Sequence, residues 1–76
     1  MKLLKGTEVL WDQMFHAVTI ENNTNIFVEI PEPIDIAQED ILTLVVSDIE
    51  QYTLKVDNFT YAIVPHKRFI IRGTLQ

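Results

Sequence analysis

The stretch Ala17-Val18-Thr19-Ile20-Glu21-Asn22-Asn23-Thr24-Asn25-Ile26-Phe27-Val28-Glu29-Ile30 decides the fold class. On each side of Asn22–Asn25 apolar residues alternate with polar or smaller ones. Val18 and Ile20 share one face, and Ile26, Val28 and Ile30 share one face. Period-two alternation is the mark of a half-buried strand, and asparagine tolerates the left-handed backbone that tight hairpins need. The stretch predicts a β-hairpin, and the proline pair at Pro31 and Pro33 stops its second strand.

Reading outward, the pattern repeats. Ile41-Leu42-Thr43-Leu44-Val45-Val46 is apolar at nearly every position and reads as a central strand covered on both faces. Gln51 to Asp57 alternates, with Tyr52, Leu54 and Val56 inward. Asp57-Asn58 reads as a two-residue turn and Phe59 to Val64 as the returning strand. Pro65-His66-Lys67 breaks that strand, Arg68 to Arg72 forms the last one, and Gly73 ends it. The connection Ile34 to Asp40 has room for one helical turn near Ala37–Asp40. Residues 7–16 are ambiguous, because their apolar positions fit a strand in part and one face of a short helix in part; the strand reading is preferred.

Composition agrees with strands. Ile and Val number 17 and Thr 7 among 76 residues, against 3 Ala. β-Branched side chains suit a pleated surface, whereas Ala is the best helix former. The expected fold is therefore one all-β domain over residues 1–76, a small antiparallel barrel or sandwich of about six short strands, with a short N-terminal helix as the variant. Its expected core is Val18, Ile20, Val28, Ile30, Leu42, Leu44, Val46, Leu54, Val56, Tyr61 and Ile63. Trp11 and Phe15 are expected to cover one end or to form an oligomer contact. A chain this short builds a small core, and with no cysteine to staple it a homo-oligomer is expected.

Two partial resemblances exist. Ile30-Pro31, Asp40-Ile41-Leu42 and Tyr52–Val56 resemble in order the strands of swapped-hairpin regulators and antitoxins, but the usual glycine and the DNA-contacting basic residues are missing. A helix over 7–16 ahead of five strands would be similar to Sm-like RNA-binding rings, but no RNA-contacting motif accompanies it. The sequence is assigned to neither.

Catalytic chemistry has little to work with. Ser47 is the only serine and has no glycine elbow around it, and Gly6 and Gly73 are the only glycines, so no phosphate-cradling loop exists. His16 and His66 are the only histidines and lie in different elements. A metal site would need both, plus a carboxylate brought to them by the fold. They are read as surface or turn residues, and the chain is expected to be a non-enzyme without metal or cofactor. No apolar run is long enough to span a membrane, and Met1–Gly6 lacks the apolar stretch of a signal peptide. A cytoplasmic protein is expected, with no membrane partner.

The charges are unevenly placed. From Gly6 to Leu54 there is no Lys or Arg, while ten acids fall in those 49 residues; the whole chain carries −5. This pattern leads to the functional expectation of a small acidic protein-binding module, an inhibitor or adaptor, that docks a basic protein surface. Its anionic face would comprise Glu29, Glu32, Asp35, Glu39, Asp40, Asp48 and Glu50. The alternatives are a nucleic-acid binder using His66, Lys67, Arg68 and Arg72, with Tyr61 and Phe69 for stacking, and a self-assembling structural component.

Overall fold

The computed structural model describes residues 1–76. It contains seven strands and no helix: β1 (Lys2–Lys5), β2 (Glu8–Trp11), β3 (Ala17–Glu21), β4 (Asn25–Ile30), β5 (Ile41–Val45), β6 (Gln51–Ala62) and β7 (Arg68–Leu75). All pair antiparallel in one sheet of order β2-β1-β5-β6-β7-β4-β3. The all-β reading holds. The sheet is not closed, because β2 and β3 are its two edges and do not pair with each other. No helix is long and apolar enough to cross a membrane.

The β3–β4 hairpin forms as its alternation predicts. Asn22 and Asn23 both have φ of 54°, and the Thr24 N–H donates to the Glu21 carbonyl at 3.0 Å. Two consecutive left-handed residues are what a type I′ turn requires, and its twist matches the twist of the strands it joins. Residues 7–16 contain β2 and a turn rather than a helix. The segment Ala37–Asp40 is likewise a turn: the Asp40 N–H donates to the Ala37 carbonyl, and Glu39 is left-handed with φ of 73°.

The main correction concerns Asp57-Asn58. These residues are not a turn, and β6 runs through them for 12 residues. The pairing with β7 shifts between Val56 and Asn58, leaving Asp57 as the extra residue of a β-bulge. Thr74 donates its hydroxyl to the Asp57 carboxylate at 2.7 Å, and the Gln38 amide donates to the Asp57 carbonyl at 3.1 Å. Gln51 to Lys55 of β6 pair with β5 while Leu54 to Ala62 pair with β7 around the bulge, so β6 joins the two halves of the sheet. Gly73 does not end the last strand either; it sits buried inside β7, opposite Val56 and Ile26.

The core lies on one face of the sheet. Leu3, Ile26, Val28, Ile30, Leu42, Leu44, Leu54, Val56 and Ile71 are completely buried, joined by Phe15, Ile36 and Phe69 in a single cluster. No polar or charged residue is buried with them. Of the expected core, Val18, Ile20 and Val46 are half-buried at its margin. Tyr61 and Ile63 are exposed: Tyr61 lies in the part of β6 beyond Lys55, where β5 no longer pairs with it, and Ile63 follows the end of the strand. β5 is interior to the sheet but covered on one face only: Leu42 and Leu44 point inward, while Ile41 is exposed and Thr43 and Val45 are half-buried. The β4–β5 connection contributes Ile36 to the core and then bonds to β6, with the Glu39 N–H donating to the Val56 carbonyl at 2.7 Å.

Candidate functional site

Three polar side chains from separate elements converge on the outward face of the sheet near the end of β4. Glu29 lies on β4 between buried Val28 and buried Ile30, so alternation turns its carboxylate away from the core. It pairs with Ala17 of β3 on one side and Ile70 of β7 on the other. His16 immediately precedes β3, and its N–H donates to the Glu29 carbonyl at 2.8 Å, which anchors it beside the carboxylate. His16 Nδ1 stands 3.5 Å from Glu29 Oε2. His66 comes from the β6–β7 turn, next to the cis Val64–Pro65 peptide. Its ring meets that of His16 edge-on, with centroids 6.0 Å apart. One ligating atom from each of the three residues lies within 4.8 Å of the other two. Both histidines are exposed and Glu29 is half-buried.

The expected site residues are distributed as follows. Of the seven acids, Glu32, Asp35, Glu39 and Asp40 share the β4–β5 connection. Glu29 belongs to the histidine cluster. Asp48 and Glu50 lie in the β5–β6 turn at the other end of β5, a separation of about 13 Å for a five-residue strand. Glu50 accepts the Tyr52 hydroxyl, which pushes the Tyr52 phenol above its ordinary value. The acids therefore occupy three places and form no single face.

Asp40 has a structural task. Its carboxylate accepts the Ala37 N–H at 2.8 Å and meets Lys5 Nζ at 3.1 Å. The backbone hydrogen bond, then the Lys5 contact, hold its carboxyl below the ordinary value of 3.8. A depressed folded pKa gives stability that is present above the unfolded value and lost as pH falls through the folded one. Asp40→Asn should therefore lower Tm at neutral pH, and the gap to the wild type should narrow as pH is taken below about 4. A gap that stays constant over that range in thermal melts would show that the charge contributes nothing.

The basic residues also divide. Arg72 faces outward, with its guanidinium 6.0 Å from the Phe27 ring centre and its Nη1 donating to Asn58 Oδ1 at 3.3 Å. Arg68 is half-buried and its Nε has no hydrogen-bond partner, Lys67 is exposed in the turn, and His66 sits against His16. The register places Phe59 and Tyr61 opposite Ile71 and Phe69, on the inward side, away from Arg72 and its partner Asn58. Phe69 is buried and packs against both rings. The cation-plus-aromatic surface expected around Tyr61 and Phe69 is not assembled; Phe27 is the ring beside Arg72. Phe15 is buried within its own chain. Trp11 is half-buried against the core, its indole N–H donating to the Met14 carbonyl at 3.3 Å.

Sequence reasoning named both histidines and the carboxylate requirement but not Glu29 as the third member. No local spacing marks the trio; only the strand order β3-β4-β7 brings them together. Compared with protein-family models, curated proteins and solved structures, the chain matches none.

Proposed function

We propose that the chain is a non-catalytic protein-binding module that docks a basic protein surface, with the acids of the β4–β5 connection at the centre of contact. The observation that carries this reading is uncompensated charge. Of eleven acids, only Asp40 and Glu29 lie within ion-pair distance of a basic side chain, Lys5 and His16 respectively. Glu32, Asp35 and Glu39 are exposed on a connection held firmly at its far end by hydrogen bonds to β6. A cationic partner would meet acids that have no basic partner within the chain, which favours its approach. Glu39 adds a second feature: a left-handed φ in a non-glycine residue costs energy and recurs at binding sites.

The test is affinity capture from nuclease-treated source-cell lysate at low and high salt, using the wild type and a Glu32→Lys/Asp35→Lys double variant. Neither side chain contributes to the core, so the variant should fold. The expected result is a partner with a basic surface, retained at low salt and released at high salt. The double variant should bind it at least roughly tenfold more weakly, since two charge reversals set like charges against the cationic partner. Equal capture by both proteins, salt-independent capture, or recovery of this chain alone would overturn the reading. The last result would favour self-assembly.

A further inference from the structure

We propose that His16, Glu29 and His66 form a binding site for a divalent transition metal of the zinc type. This rests on the convergence of the three side chains and is independent of the docking surface.

The donor set is specific. Two imidazole nitrogens and one carboxylate oxygen suit zinc and its late first-row neighbours, whereas calcium and magnesium favour all-oxygen shells. Bond lengths near 2.0–2.1 Å at tetrahedral angles place donor atoms roughly 3.3–3.5 Å apart. His16 Nδ1 and Glu29 Oε2 already stand at 3.5 Å. The full set spans no more than 4.8 Å, so His66 has on the order of 1 Å to close. His66 is exposed in a turn, and rotation of its side chain can supply that movement.

The supporting structure is firm where it must be. Glu29 sits in the middle of a paired strand, with neighbours Val28 and Ile30 fully buried. The His16 backbone is tied to the Glu29 carbonyl, so two of the three ligands keep their relation without metal. A metal would add a link between the β2–β3 segment, β4 and the β6–β7 turn, positions 16, 29 and 66 of the chain. Three protein ligands leave a fourth position for water or for a donor from another molecule. Lys67 and Arg68 adjoin His66 and add positive charge, which weakens cation binding. The expected affinity is therefore modest, well short of that of a closed four-ligand structural site.

The experiment is a zinc titration followed by calorimetry and thermal melting, with cobalt(II) absorption as a second readout. Wild type, His66→Ala, His16→Ala and Glu29→Gln are compared after far-UV circular dichroism shows each folded. The wild type should bind one zinc per chain. Its Tm should rise by roughly 10–20 °C at free zinc about a hundredfold above Kd. Cobalt should give the intense visible bands of a low-coordinate site. Each variant should bind at least tenfold more weakly, and calcium and magnesium should produce no shift. Glu29→Gln keeps the side chain's shape, so its loss of binding separates ligand removal from local misfolding. Zinc binding that survives unchanged in His66→Ala and Glu29→Gln, or a wild type that neither binds zinc nor shifts in Tm at millimolar metal, would overturn the proposal.

Discussion

Gly73→Ala is expected to lower Tm by roughly 5–20 °C, the range that an overpacking cost of about 1–3 kcal/mol implies for a domain of this size. Gly73 lies mid-strand in β7, and its φ is not left-handed, so space and not backbone conformation demands glycine here. A Cβ at this position would come 2.6 Å from Leu54 Cδ1 and 2.8 Å from the Lys55 carbonyl oxygen. Leu54 can turn partly aside, but it is fully buried, and its movement disturbs the core. The Lys55 carbonyl belongs to the β6 backbone and moves only with the strand. Combining Gly73→Ala with Leu54→Ala tests this division. The double variant should lose less than the sum of the two single losses, because the clash with Leu54 is gone. It should still fall below Leu54→Ala alone, because the contact with the carbonyl remains. Urea unfolding of the four proteins gives the cycle directly. An unchanged midpoint in Gly73→Ala would mean that β6 and β7 yield at this crossing without cost.

The same region marks the boundary of what sequence could reveal. The β3–β4 hairpin was legible because two independent signals agreed: strict alternation and an asparagine pair at the turn. At Asp57-Asn58 one signal had two readings. Inward apolar positions change from even numbers (52, 54, 56) to odd (59, 61), and a two-residue turn and a one-residue bulge both produce that change. The pairing partner distinguishes them, and it is supplied by β7, which at eight residues is long enough to span the bulge. Phe15 and Ile36 entered the core from non-strand segments, where alternation gives no guide. Leu3 was hidden in a four-residue strand whose lysines suggested a solvated terminus. The histidine cluster was illegible for a related reason. Its members are separated by 13 and 37 residues, and only long-range strand order makes them neighbours.

Leu44→Ala is expected to remove about 2–5 kcal/mol, the cost of truncating a fully buried leucine. Stability of roughly 4–11 kcal/mol is typical for a chain this long, so the variant should melt roughly 8–40 °C lower or fail to fold cooperatively. Leu44 is a demanding site because it lies opposite Leu3 of β1 and Tyr52 of β6 on the inward face of β5. It belongs to the β2-β1-β5 half of the sheet, whereas Ile26, Val28, Ile30 and Ile71 come from the β7-β4-β3 half. All of them form one buried cluster, and β6 pairs into both halves. Loss at Leu44 should therefore be felt throughout the sheet. Trp11, at the β2 edge, reports on the near half by fluorescence, while far-UV circular dichroism reports on all seven strands. In the wild type and in Leu44→Ala the two probes should trace a single transition. If Trp11 fluorescence in the variant changes at a temperature where the dichroism is still native, the halves unfold separately. In that case the bulged strand β6 joins two separately stable halves, and the shared core does not bind them into one cooperative unit.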